Sequence, residues 1–351
     1  MDSYMDTPEF KLTQTELKLI AEIDEFKGKW QALSSLAPEQ LTALRKVATV
    51  ESIASSTRIE GVALSDQAVE KLLSGLQITS LHSRDEEEVA GYAECIEQVF
   101  ESYAHIPVDE KHIKQLHQVL LKYSSKDTRH RGEYKKLNNH VEAVDQNGKS
   151  AGIVFKTATP FETPQKMTEL TEWLALEWKN RQTHPLLTIA VFIVHFLAIH
   201  PFQDGNGRLS RILPTLLLLQ AGYGYVLYSS LERIIEENKE QYYLKLRRTQ
   251  QTIYSDNDTI MEWATFFLRS LRKQVSVLEK KIDQENRLTQ LPALSQTLLV
   301  AVRERGKLTV REAVQLTGAN RNTIKRHLSQ LVQRGTLQQE GIGKGTWYRP
   351  A

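Results

Sequence analysis

The run His200-Pro201-Phe202-Gln203-Asp204-Gly205-Asn206-Gly207-Arg208-Leu209-Ser210-Arg211 decides how this chain of 351 residues is read. Just before it, Pro185 to Ile199 is apolar at almost every position, which predicts a helix surrounded on all sides in a bundle. That helix stops at His200. After a loop holding two glycines, the Leu-rich stretch Arg208 to Gln220 predicts a second helix, closed by Ala221-Gly222. Pro214 inside it is expected to kink it or to shift its start. A helix N-terminus offers unpaired N–H groups and the positive end of a dipole, and phosphates bind there. Gly205 and Gly207 let the backbone approach an anion without a Cβ in the way. Arg208 and Arg211 are three apart, so both can reach a polyphosphate from the first turn. Asp204 is a hard oxygen ligand of the kind Mg²⁺ on a triphosphate takes. His200 titrates near neutrality and can accept a proton from a hydroxyl.

Working outward, apolar spacings of three and four predict helices over Glu39 to Arg58, Gln67 to Leu76, Glu86 to Tyr103 and Glu110 to Tyr123, with Asp109 capping the last. Helical patterning also covers Pro164 to Arg181. Between them, Val141 to Val144 and Ile153 to Thr157 are short β-branched runs separated by Gln146-Asn147-Gly148-Lys149. Asn-Gly favours a type I′ turn, so a hairpin is expected, and such a pair of strands must lean on something. Leu271, Val275, Leu278 and Ile282 form a seam too short for a zipper, which predicts a docked helix end. The polar stretch Asp283 to Gln290, followed by Pro292, is read as a linker.

The twelve-residue run resembles the Fic signature HPFx[DE]GNGRxxR and matches every defined position. The resemblance implies a mainly α fold: a Fic-type helical core with a β-hairpin flap that positions a target segment by strand pairing. It implies protein adenylyltransferase activity, moving AMP from ATP to a Ser, Thr or Tyr hydroxyl of a target protein or of the chain itself. By the same resemblance His200 would be the general base and Phe202 a loop anchor. Asp204 would hold Mg²⁺, while Gly205, Asn206 and Gly207 would line the anion hole. Arg208 would contact the phosphates and Arg211 would hold the γ-phosphate. The Gly-Asn-Gly-Arg loop is the form typical of AMP transfer rather than of the kinase-like or choline-phosphate-transferring relatives. Asn238, Tyr242 and Tyr243 resemble the family's region near the adenine, although tyrosines on a helix also serve as core packing.

Upstream, Ser56-Thr57-Arg58-Ile59-Glu60-Gly61 fits [ST]xxxE[GN], with Gly61 placed to end a helix. In the class of the family that carries such a helix, its glutamate pairs with the second motif arginine, here Arg211. Ser56 and Glu60 are therefore expected to be inhibitory. A carboxylate there removes a cation and puts negative charge where phosphate oxygens must sit.

The last 60 residues change character. Residues 291–351 hold ten Lys/Arg against three Asp/Glu, a local charge of +7 in a chain whose net charge is +2. Helical patterns over Ser295 to Arg305, Val310 to Leu316 and Asn320 to Arg334 precede a strand, a Gly-rich turn and a strand in Leu337 to Tyr348. This resembles a winged helix-turn-helix, which would place Arg321, Asn322, Lys325 and Arg326 on a recognition helix and Lys344 in the wing. DNA and protein both remain open as partners of that surface.

The expected division is an N-terminal helical region over 1–105, a catalytic core over 106–270, a linker helix over 271–293 and the winged-helix domain over 294–351. Cys95 is the only cysteine, which excludes an intrachain disulfide. The start, MDSYMDTPEF, lacks the basic and apolar regions of a secretory signal. The longest apolar run falls short of the ~18 residues of a membrane span, so a cytoplasmic protein with no membrane partner is expected. Two other readings stand beside AMP transfer: a DNA-binding regulator whose Fic core senses nucleotide, and a de-AMPylase using Glu60. A homodimer through the core also stays open.

Overall fold

Helices make up most of the described residues, which in this computed structural model are 8, 10–32, 38–75, 81–144, 150–253, 259–289 and 291–351. They divide into two compact units, Met1–Leu278 and Glu279–Ala351. The first opens with α1 (Gln14–Ala32), α2 (Pro38–Ile59), α3 (Asp66–Gly75), α4 (Arg84–Ser102) and α5 (Glu110–Leu120). The strands β1 (Val141–Val144) and β2 (Ser150–Phe155) follow, then α6 (Thr163–Asn180), α7 (Pro185–Ile199) and α8 (Asn206–Gln220). The short α9 (Leu231–Glu237), α10 (Lys239–Thr252) and the long α11 (Ile260–Thr289), whose residues up to Leu278 belong to this unit, complete the series.

Local chemistry sets these boundaries. Ser83 caps α4 by accepting the Glu86 N–H, and Asp109 caps α5 by accepting that of His112. At α7, His184 accepts the Leu186 N–H, and Pro185 occupies the first turn, where its missing N–H costs nothing. Every residue of α7 from Leu186 to Ile199 except His195 is buried, as its unbroken apolar sequence requires. It packs against α6 and α8, and Trp263 of α11 donates its indole N–H to the Ala190 carbonyl at 2.8 Å.

Several boundaries differ from expectation. Pro214 does not delay α8, which already begins at Asn206 and continues through it. The second strand is displaced toward the turn and ends at Phe155, leaving Thr157 outside the ladder with its hydroxyl free for other work. The hairpin is antiparallel, pairs Glu142 with Ile153, and β2 lies against α10. The Gln146 to Lys149 turn lies outside the described residues. Leu271, Val275, Leu278 and Ile282 are all buried, as a docked helix face should be. The polar stretch read as a linker continues α11 as helix to Thr289.

The second unit is built from α12 (Ala293–Arg305), β3 (Leu308–Thr309), α13 (Val310–Thr317), α14 (Arg321–Gln333), β4 (Leu337–Glu340) and β5 (Trp347–Pro350). Its strands form an antiparallel sheet in the order β3-β5-β4. Thr309 and Glu312 close a reciprocal capping box at the start of α13. Leu298, Val302, Leu308, Ile324, Leu328, Leu331 and Leu337 belong to its core. No described helix is long and apolar enough to cross a membrane.

Candidate active site

The end of α7, the start of α8, the end of α2 and one face of α10 meet around a cavity of about 270 Å³. Glu60, His200, Asp204, Gly205, Gly207, Arg211, Tyr242 and Tyr243 contribute to its lining. Eleven residues of chain bring His200 and Arg211 to one cavity because the loop between them reverses direction on two left-handed residues. His200 has φ 53° and Gly205 φ 81°. Glycine adopts that region freely, whereas for a histidine it costs roughly 1–3 kcal/mol, to be offset by the surroundings.

The His200 side chain is oriented by its own helix. Nδ1 lies 3.3 Å from the Leu197 carbonyl, so Nδ1 carries the hydrogen and Nε2 is left with a lone pair. Burial, reinforced by the Lys135 charge, pulls its pKa down to about 4, and the ring is neutral at physiological pH. A neutral imidazole with a free Nε2 beside a cavity can take a proton.

The loop is clamped from below. Phe202 is fully buried and stacks on His117 with ring centroids 3.8 Å apart. The Phe202 N–H donates to Asn206 Oδ1 at 2.9 Å, and Asn206 Nδ2 donates back to the Phe202 carbonyl at 2.6 Å. The Asn206 amide therefore ties the loop closed. His117 accepts the Gly132 N–H at Nδ1 and donates from Nε2 to the Asp204 carbonyl, each at 3.0 Å; burial holds it neutral, with a pKa near 4.

Asp204 Oδ1 accepts the Gly205 N–H at 2.6 Å and faces Arg208 Nη2 at 3.2 Å, while Oδ2 has Lys126 Nζ at 3.7 Å. Burial pushes its pKa up, but the Arg208 charge and the Gly205 N–H outweigh this and hold it below the usual range. Arg208 is buried beneath the loop. Its Nη1 lies 3.3 Å from Glu88 Oε2 without making a hydrogen bond, and Arg208 is not part of the cavity lining.

Arg211 is 2% exposed and fully engaged with the end of α2. Nε donates to Ser56 Oγ at 2.8 Å, and Nη2 donates to the Ser56 carbonyl at 3.0 Å and to Glu60 Oε1 at 2.7 Å. Glu60 sits where the helix turns off. Gly61 has φ +106°, and the bonds Val62 N–H to Thr57 and Gly61 N–H to Arg58 form a Schellman cap. The Glu60 carboxylate lies directly against Gly207, where an added Cβ would stand 2.3 Å from Oε1. Burial opposes its charge, but Arg211 and then Arg208 prevail and keep its pKa below the ordinary value, with 32% of the side chain exposed.

Tyr242 and Tyr243 line the cavity, Tyr242 buried and edge-on to Trp263, so packing and lining coincide. Asn238 does not line it; it caps α10 and donates to the Ile234 carbonyl at 2.7 Å. In the second unit Arg321, Asn322, Lys325 and Arg326 are exposed along α14, while the Lys344 side chain lies outside the described residues.

Polar groups that the motif does not mark hold the loop from behind. Lys135 is buried and donates to Asn139 Oδ1 (2.8 Å), Thr157 Oγ1 (3.1 Å) and the Ile199 carbonyl (2.9 Å). Burial pulls its pKa down to about 8. Asn139 Nδ2 donates to the Phe202 and His200 carbonyls at 2.6 and 3.2 Å. No spacing in the sequence links positions 135, 139 and 157 to the motif.

The Fic/DOC family profile matches residues 107–218, which contain α5 to α7 and most of α8. Among curated proteins, the chain is 38% identical over 80 residues to the protein adenylyltransferase Fic of Drosophila willistoni, covering 23% of this chain and 15% of that one. It is 28% identical over 235 residues to that of Drosophila grimshawi, covering 66% and 44%. The chain thus spans less than half the length of these relatives. A crystal structure of a Fic family protein from Desulfovibrio desulfuricans superposes with a TM-score of 0.64 at 22% identity, covering 99% of this chain and 98% of that one. Residues 107–218, which carry His200 to Arg211, thus match the Fic/DOC family profile, and the fold is the one seen in a Fic family protein.

Proposed function

We propose that the protein transfers AMP from ATP to a hydroxyl side chain of a target protein or of itself, and that Glu60 holds this activity in check. The observation that carries the reading is the neutral His200, its Nε2 unoccupied, in one cavity with the α8 N-terminus. A target hydroxyl gives its proton to Nε2 while its oxygen forms a bond to the α-phosphorus of ATP. The bond from that phosphorus to the bridging oxygen breaks, and pyrophosphate leaves. The N–H groups of Asn206 and Gly207, at the start of α8, face the phosphate charge.

The Asp204 carboxylate, with Oδ2 facing Lys126 at 3.7 Å, fits a Mg²⁺ carried largely by phosphate oxygens and water. When bound, that ion would neutralise charge on the phosphates. Glu60 restrains transfer because its carboxylate occupies Arg211 and the space over Gly207, both of which a triphosphate needs. Relatives named protein adenylyltransferase support the chemistry.

Residues 294–351 are read as a winged helix-turn-helix, joined to the 106–270 core through the linker helix 271–293. The face of α14 bearing Arg321, Asn322, Lys325 and Arg326 is suited to duplex DNA, while Ile324, Leu328 and Leu331 secure it to the core.

The test is transfer of label from α-labelled ATP to protein with Mg²⁺, in cell lysate. Glu60→Gly is expected to raise labelling, and His200→Ala in that background to abolish it. Absence of label in every variant, with ATP binding retained, would overturn the assignment.

A further inference from the structure

The His200 turn is a strained backbone inside a dense polar collar, and the collar is not made by the motif. A strap of chain from Tyr134 to Asn139 runs alongside Ile199 to Gln203. Tyr134 and Phe202 form an antiparallel bridge, the Lys135 N–H donates to the Pro201 carbonyl at 2.9 Å, and the Leu137 N–H reaches Gln203 Oε1 at 3.4 Å. The side chains of the strap then take carbonyls at the end of α7 and in the turn after it: that of Ile199 goes to Lys135, and those of His200 and Phe202 to Asn139. A lysine at a helix C-terminus meets both the orphan carbonyls and the negative end of the dipole. Here the ammonium is buried, so it cannot exchange those partners for water without opening the turn.

We infer that Lys135, supported by Asn139 and Thr157, is a positioning residue for His200: its ammonium fixes the end of α7 so that the imidazole stays in one tautomer with Nε2 toward the cavity. Lys135 is not part of the cavity lining; it acts on His200 through the turn, and its charge helps keep the ring neutral. The inference rests on the general-base reading of His200 for its catalytic consequence, but the placement of the ring can be read without any activity.

The experiment compares Lys135→Met and the nearly isosteric Thr157→Val, which removes one partner of the ammonium, both in the Glu60→Gly background. Nitrogen NMR of labelled histidine reads the His200 tautomer, calorimetry the ATP affinity, and single-turnover labelling the transfer step. Lys135→Met is expected to slow transfer by at least about 10-fold while ATP affinity changes less than about 2-fold, and to mix the His200 tautomers; Thr157→Val does the same more weakly. An unmoved His200 tautomer in both variants, or a fall in ATP affinity parallel to that in rate, overturns the inference. A mixed tautomer in a protein that transfers no AMP in any background upholds the positioning role and overturns the proposed function instead.

Discussion

At Gly207 the absence of a side chain is a statement about Glu60. Glycine in the first turn of a helix normally costs up to about 1 kcal/mol relative to alanine. Here the alanine methyl would collide with a carboxylate that Arg211 holds fast. Gly207→Ala is therefore expected to destabilise the protein by about 1–3 kcal/mol, through overpacking and loss of the ion pair. In a Glu60→Gly background the same change should become neutral or slightly stabilising, since only the helix propensity remains. Urea denaturation of the four proteins gives this coupling directly, and equal costs in both backgrounds would show that the carboxylate is not held there. His200, Asp204, Arg211, Ser56 and Glu60 could all be placed from sequence because a contiguous string and a helix-ending Glu-Gly mark them. Asn206 lines the cavity, and its side-chain amide in addition closes the loop on Phe202, a local side chain-to-backbone bond that the motif alone does not announce. Lys135, Asn139, Thr157 and His117 were invisible because they reach the loop from separate elements, and a lysine in a polar stretch reads as solvent-exposed until the fold covers it.

At the scale of elements, the end of α2 matters more than its length. The last turn holds Ser56 and Glu60 on Arg211 only while Gly61 keeps φ at +106°. An L-residue there is strained, so Gly61→Ala should cost about 1 kcal/mol or more and loosen the cap. Basal labelling should then rise toward the Glu60→Gly level, although Glu60 itself is intact. Unchanged labelling in a protein of lowered melting temperature would separate the cap from the restraint. Helices with an unbroken apolar stretch or an unambiguous cap, α7 and α13, were legible nearly to the residue. α1 was not, because Ile23 and Phe26 are its only buried apolar residues and leave no stripe to read. The polar stretch Asp283 to Thr289 continues α11, because polar side chains suit a helix as well as a linker.

Over the whole molecule, fully or partly buried histidines govern the response to acid. His117, His195 and His200 each have a pKa pulled by burial from the ordinary 6.5 to about 4. Between those values the unfolded chain takes up protons that the folded protein refuses, so stability falls as the pH drops from about 6.5 to about 4. His117 alone accounts for about 3 kcal/mol across that window. Lys135 acts at the other end: its folded pKa near 8 lies below the ordinary 10.5, so it adds stability as the pH rises between them. Calorimetric melting at pH 7, 5.5 and 4.5 should show a steep decline, and a flat profile would mean that these rings are protonated in the fold.

The Glu60 carboxylate against Gly207 has a consequence for every anion that approaches the cavity. It is a resident ligand on a short tether, always present at a high effective concentration, and a free anion can enter fully only by winning that place from it. Occupancy of the α8 N-terminus and release of the α2 tail are then one equilibrium seen from two sides. A partner that pulls on α2 tightens anion binding by the same factor by which the anion eases that pull.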